Sequence, residues 1–180
     1  MKIDQTWLVP ALGGDRAAAA KLMESLWPDA YRIAWAALRD AAAAEDAAQE
    51  ACARAWGALG SVRDASRFAV WFYRIVVNEC RRLRRRSHAD LPLAGQVLAT
   101  ERPRDDERID VRRAIDALPE ALRLVVVLRY YYDLTSVEIA GVVDASPITV
   151  RWRLMIAHRR LRTLLESPEG SYTDESVAVG

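Results

Sequence analysis

The sequence predicts an all-α protein of two small helical domains joined by a flexible linker, the second ending in a helix-turn-helix. Three observations carry this. Apolar residues make up 52% of the 180 residues and recur at helical spacing, whereas alternating β-branched runs are nearly absent. Residues 87–108, SHADLPLAGQVLATERPRDDER, break every periodic pattern with prolines, a glycine and a mixed-charge run. Residues 134–165 read as helix, tight turn, second helix. The expected division is therefore a first domain at 1–86, the linker at 87–108, a second domain at 109–167 and a loose tail at 168–180.

In the first domain, residues about 15–27 and 29–39 carry Leu22, Leu26, Ile33, Trp35 and Leu38, with Pro28 expected to break one helix from the next. Residues about 43–59 place Ala48, Cys52, Ala55 and Leu59 on one face. Opposite them Glu45/Gln49 and Asp46/Glu50 stack at (i, i+4), where like charges gain nothing for the helix. That acidic face is either solvated or a surface for a basic partner. Residues about 65–86 form the longest helical pattern, with Phe68, Trp71, Phe72 and Ile75 as the apolar stripe. Arg74, Asn78, Arg81 and Arg85 recur on a different face, which runs into the arginine cluster Arg81–Arg86. Guanidinium groups neutralise phosphate and aromatic rings stack on unpaired bases, so this combination suits single-stranded DNA. Trp71 and Phe72 are expected in the core and Tyr73 as the exposed ring.

Beyond the linker, Ile109–Leu118 and Pro119–Tyr132 supply two helices. Thr135 and Glu138 have capping-box spacing. Asp144-Ala145-Ser146 supplies the break, and Ser146-Pro147 suits an N-cap followed by the first helical position. Val150, Leu154, Ala157, Leu161 and Leu164 make the predicted buried stripe of the last helix. Arg151, Arg153, His158, Arg159, Arg160 and Arg162 surround it. An arginine-lined second helix is how many helix pairs enter a major groove; a plain amphipathic hairpin with a solvated charged face is the alternative.

The formal charge of +1 conceals segregation, because Asp40, Glu45, Asp46 and Glu50 lie upstream of the arginine cluster. Lys2 and Lys21 are the only lysines, a bias equally compatible with a GC-rich genome. Cys52 and Cys80 fall within apolar helical patterns, without zinc-finger spacing, and read as buried free thiols in a reducing cytosol. Trp7-Leu8-Val9 is too short for a signal peptide and Pro10 interrupts it; no apolar run reaches membrane-spanning length. The expectation is a cytoplasmic protein without membrane insertion. There is no phosphate-cradling glycine loop and no HExxH, and neither His88, in the linker, nor His158 has a triad or metal-ligand partner. No enzyme activity, metal or cofactor is expected.

The order of these parts resembles the extracytoplasmic-function sigma factors of bacterial RNA polymerase, from about Asp15 to Leu165. A-E-D-A-A-Q-E at 44–50, followed by Arg54, Ala55 and Trp56, is similar to the family's polymerase-binding helix. F-A-V-W-F-Y-R-I-V-V-N-E-C-R-R-L-R-R-R at 68–86 is similar to its promoter-melting, −10-reading helix. A-L-P-E-A-L-R at 117–123, Leu128-Arg129-Tyr130-Tyr131 and D-L-T-S-V-E-I-A at 133–140 are similar to the approach to its −35-reading motif. The resemblance implies a sigma factor that binds core RNA polymerase and promoter DNA and is controlled by an anti-sigma factor. It implies that Glu45, Asp46, Gln49 and Glu50 contact a coiled coil of the largest polymerase subunit. It further implies that Asn78 contacts the −10 strand, with Arg74, Arg81, Arg82 and Arg85 holding the backbone. Thr149, Arg151, Trp152, Arg153 and Arg160 would meet the −35 duplex.

Two stretches depart from the family pattern. Ala43 stands where an aspartate is frequent. Trp152, Met155 and Ile156 stand where small polar, polar or basic residues are usual, and with Ile148 they form an apolar patch opposite the Val150/Leu154 stripe. The patch could touch thymine methyls, pack against the first domain, or lie under an inhibitory protein. The last is favoured, because exposed apolar clusters usually mark protein contacts. The rival reading of the whole chain is a stand-alone helix-turn-helix regulator with an N-terminal sensor or dimerisation module, which would bind duplex DNA without core polymerase.

Overall fold

The computed structural model describes residues 5–90 and 107–166, and among these every regular element is helical. The order is α1 (Gln5–Leu12), α2 (Arg16–Leu38), α3 (Ala41–Ala58), short 3-10 turns at Leu59–Ser61 and Ala65–Arg67, α4 (Phe68–Asp90), α5 (Glu107–Asp116), α6 (Glu120–Tyr130), α7 (Ser136–Val143) and α8 (Pro147–Glu166). Most of the expected linker, and the expected tail, lie outside the described residues. His88, expected in the linker, falls in the last turn of α4.

The first unit is α2, α3 and α4 packed together, with α1 seated on α2. Asp15 starts α2 by accepting the backbone N–H groups of Ala17 and Ala18 at 2.8 and 3.1 Å. Pro28 does not break this helix: α2 is continuous from Arg16 to Leu38. The reason is geometric. Leu22, Leu26, Ala30, Ile33 and Ala37 form one buried stripe on both sides of the proline. Pro28 and Glu24, whose carbonyl loses its usual partner, are both exposed on the solvent side. Helix α1 was not anticipated from the sequence; it buries Leu8 and Ala11, and its own Pro10 is likewise exposed.

Asp40 caps α3 through the Ala43 N–H at 2.8 Å. The buried face of α3 is Ala44, Ala47, Ala48, Ala51 and Ala55. Side chains that end at Cβ let the neighbouring helix axes approach closely. Cys52, expected on this face, is only half-buried.

In the second unit the expected caps are formed. Thr135 and Glu138 exchange hydrogen bonds at 2.7 and 3.3 Å, and Ser146 Oγ accepts the Thr149 N–H at 3.1 Å. Asp144 turns the chain between α7 and α8 in the left-handed region, φ 51°. On α8, Val150 and Ala157 are buried and Leu154 and Leu161 half-buried, but Leu164 is exposed. Residues 162–166 are all exposed, so the helix outruns its packing partners.

The two units share one apolar core. Val125, Leu128, Ile139, Val142 and Val150 belong to the same buried cluster as Leu22, Ile33, Phe72 and Val76. Helix α6 packs on α2, and α7 on α4. Polar contacts cross the same boundary. The buried Arg123 guanidinium donates to the carbonyls of Ala36 and Leu118 at 2.5 and 2.6 Å. Arg84 donates to the Ala37 carbonyl at 2.8 Å and pairs with Glu120. Tyr132 Oη donates to the Asp29 carbonyl at 3.2 Å.

Candidate nucleic-acid and protein-binding surfaces

Three surfaces carry the residues singled out above. The first is the outer face of α3. Glu45, Asp46 and Gln49 are exposed. Glu50 is half-buried and belongs to a charge network with α4. Arg54 meets Glu50 at 3.2 Å and Glu79 at 2.8 Å, while Arg82 meets Glu79 at 2.6 Å and Glu50 at 3.6 Å. Glu79 is only 4% exposed, and each of its oxygens receives one guanidinium. A carboxylate is retained at such depth only when paired. Glu50 and Arg82 were assigned to separate surfaces by sequence; here they meet in one α3–α4 tie.

The second surface is on α4. Arg74, Asn78 and Arg85 are exposed, and Arg81 is half-buried. Arg81 approaches Asn78 Oδ1 at 3.5 Å and donates to the Val143 carbonyl at 2.5 Å. Tyr73 is not the exposed ring that the sequence suggested. It is 1% exposed and packs against Tyr132, ring centroids 4.7 Å apart. Burial pushes its phenol pKa well above the ordinary value. Phe72 is in the core as expected, and the half-buried Trp71 tilts against Phe68, leaving it the ring closest to solvent among these three.

The third surface is α8. Arg151, Trp152 and Arg160 are exposed, while Arg153 and Thr149 are half-buried. The Thr149 hydroxyl shares a 2.8 Å hydrogen bond with Ser146 inside the cap. A shallow groove along the helix is lined by Arg151, Leu154, Met155, His158, Arg159 and Arg162. His158 shares a 2.6 Å hydrogen bond with Tyr130 of α6. Arg159 and Arg162, not assigned to DNA from sequence, share this groove with Arg151. Their spacing of eight residues from Arg151 to Arg159 and three from Arg159 to Arg162, which returns each to one helical face, was the available signal. The patch of Ile148, Trp152 and Met155 is not covered by the first unit, being 72%, 57% and 44% exposed; Ile156 is half-buried against the second unit's own cluster.

Neither thiol is poised for chemistry, since burial pushes Cys52 up to about 11 and Cys80 up to about 12. Among the described residues no group of His, Cys, Asp or Glu is placed to hold a metal ion, and no helix is long and apolar enough to cross a membrane.

These features agree with comparisons to known proteins. The family model for Sigma-70 region 2 matches residues 22–89, and that for Sigma-70, region 4 matches residues 108–161. The chain is 32% identical over 165 residues to the ECF RNA polymerase sigma factor SigM of Mycobacterium tuberculosis, covering 90% of this chain and 84% of that one. It is 32% identical over 147 residues to the RNA polymerase sigma-H factor of Pseudomonas aeruginosa, covering 72% and 76%. Its fold is similar to that of the sigma factor RpoE solved with the anti-sigma factor NepR from Bartonella quintana, with TM-score 0.65, 19% identity and coverage of 83% and 97%. CnrH, solved in complex with the cytosolic domain of CnrY, gives TM-score 0.62 at 24% identity, covering 91% and 97%.

Proposed function

This chain belongs to the extracytoplasmic-function sigma factors of the sigma-70 family, and from that premise we propose how its surfaces divide the work. It is a sigma factor that binds core RNA polymerase and directs promoter-specific initiation of transcription. The observation that carries the division is the opposition of charge on one body: exposed carboxylates on α3, exposed guanidiniums on α4 and α8.

Glu45, Asp46 and Gln49 are the contacts to the polymerase, and Glu50 supports them by anchoring Arg54 and Arg82. Asn78, with Arg74 and Arg85, holds the −10 strand, and Arg81 joins them once it leaves the Val143 carbonyl. Opening DNA breaks no covalent bond. It needs a surface that binds an extruded base well enough to offset an unstacking cost of a few kcal/mol. Helix α8 contacts the −35 duplex through Arg151 and Arg160, which fix register on the phosphates. An anti-sigma partner controls availability; support comes from the fold shared with a sigma factor solved bound to one. The site of action is the cytoplasm, where the polymerase is.

Run-off transcription with purified core polymerase on genomic fragments tests this reading. The expected result is a small set of discrete start sites that depends on the added chain; no specific start under any condition overturns it.

A further inference from the structure

The exposed side of α8 has an arrangement that phosphate contacts alone do not explain. At about 100° per residue, Ile148, Trp152, Met155 and Arg159 fall within about 60° of one another. Arg151 and Arg162 border this strip on the side of the groove, with His158 beyond them. Val150 and Ala157, buried, lie on the opposite side of the helix. Arg153 and Arg160 point about 100° and 80° away from the nearest member of the strip, toward its other flank. The first two turns of α8 therefore present an apolar surface, and cations line one edge of it and continue it toward the C-terminus. No acidic residue interrupts α8 before Glu166.

Resting on the reading of α8 as the duplex-contacting helix, we infer that Ile148, Trp152 and Met155 read the 5-methyl groups of thymines in the upstream promoter element. The occupant of the patch is duplex DNA, in place of the protein cover that the sequence favoured. Charge decides between them: the one charged edge of the patch is arginine, and a polyanion satisfies it. Base edges are reached by the N-terminal residues of a recognition helix, and the thymine methyl is the one apolar group on the major-groove edge of the bases. The arginine-lined groove then takes the backbone of the adjoining strand, which sets Trp152 over the base edges. Specificity here is for A·T pairs in one orientation, because the methyl marks which strand carries the thymine.

The test uses holoenzyme assembled from the full chain and core polymerase. Duplexes selected from a random pool are resynthesised with each upstream thymine replaced in turn by deoxyuridine, which lacks only the methyl group. Wild type should bind at least one such duplex about fourfold more weakly, the discrimination expected from one buried carbon. Trp152→Ser, and separately Met155→Gln, should reduce that difference to within about twofold. Both side chains are exposed, so neither change opens the core. Equal binding of thymine and deoxyuridine duplexes by wild type overturns the inference and returns the patch to a protein partner. Undiminished sensitivity in both variants also overturns it. A holoenzyme that starts transcripts but ignores the methyls defeats this inference alone; one that selects no sites and starts no transcripts defeats the proposed function with it.

Discussion

The guanidinium of Arg81, in the middle of α4, donates to the carbonyl of Val143, the last residue of α7, at 2.5 Å. Orphan carbonyls at a helix C-terminus attract cations, so the contact is favourable in itself. Its effect is to lay α7 beside the α4 face that carries Asn78. A DNA strand bound along that face has to displace the end of α7 to reach Arg81.

Locking this arrangement should therefore block promoter opening. A Cβ built on Gly141 would lie 3.6 Å from Val70 Cγ1, so a Val70→Cys/Gly141→Cys pair is within reach of a disulfide. The native thiols, held protonated by burial, compete poorly for oxidation. The oxidised protein should lose at least about tenfold of its run-off product and regain it on reduction. Equal output from the two forms would show that the units need not separate.

Asp29 makes stability depend on pH in an unusual direction. It is buried, and burial raises its pKa above the ordinary 3.8 despite the opposing pull of Arg32 and the hydrogen bond from Tyr132. The folded state thus holds this proton more tightly than the unfolded chain. The stabilisation it gives is full below 3.8 and disappears as pH rises through the folded-state value. Asp29→Asn keeps an acceptor without the charge. Its stability relative to wild type should improve as pH is raised from about 4 to 6, measured by urea denaturation. A flat difference across that window removes Asp29 from the account.

Glu79→Gln should weaken the α3–α4 tie. Removing one partner of a buried pair costs about 3–5 kcal/mol, but Arg54 is half-exposed and Arg82 partly so, and water takes up part of the loss. About 1–2 kcal/mol is expected in denaturant unfolding. A change below about 0.3 kcal/mol would mean that the network is only a surface ornament.

Polymerase binding and strand capture should separate by mutation. Glu45→Lys/Asp46→Lys reverses two exposed charges on α3 and should weaken core binding at least about tenfold, more so at low salt. Asn78→Ala should leave core binding within about twofold and reduce open-complex formation several-fold. Equal loss of both activities in Asn78→Ala would remove it from the −10 contact.

Much of the helix order was legible because its signals are local. The Thr135/Glu138 box and the Ser146-Pro147 start can be read from a few adjacent residues, and both are formed. Pro28 misled because the rule concerns one lost hydrogen bond, whereas continuity was decided by a buried stripe on the far side of the helix. Tyr73 misled for a related reason: its cover is Tyr132, from the other unit, and no local pattern announces it. The acidic and arginine faces were visible as faces. That Glu50 and Arg82 bind each other rather than partners depends on α3 lying beside α4, which periodicity does not encode.

The alanine face of α3 has a consequence for how this surface can evolve. All five side chains there end at Cβ and are fully buried, so a larger replacement is expected to move the helix outward. Glu45 and Asp46 ride on that helix and would travel with it. Variation at Ala44, Ala47 or Ala48 would thus register as a changed reach toward the transcription machinery before it registered as unfolding, tuning initiation strength from positions no partner ever touches.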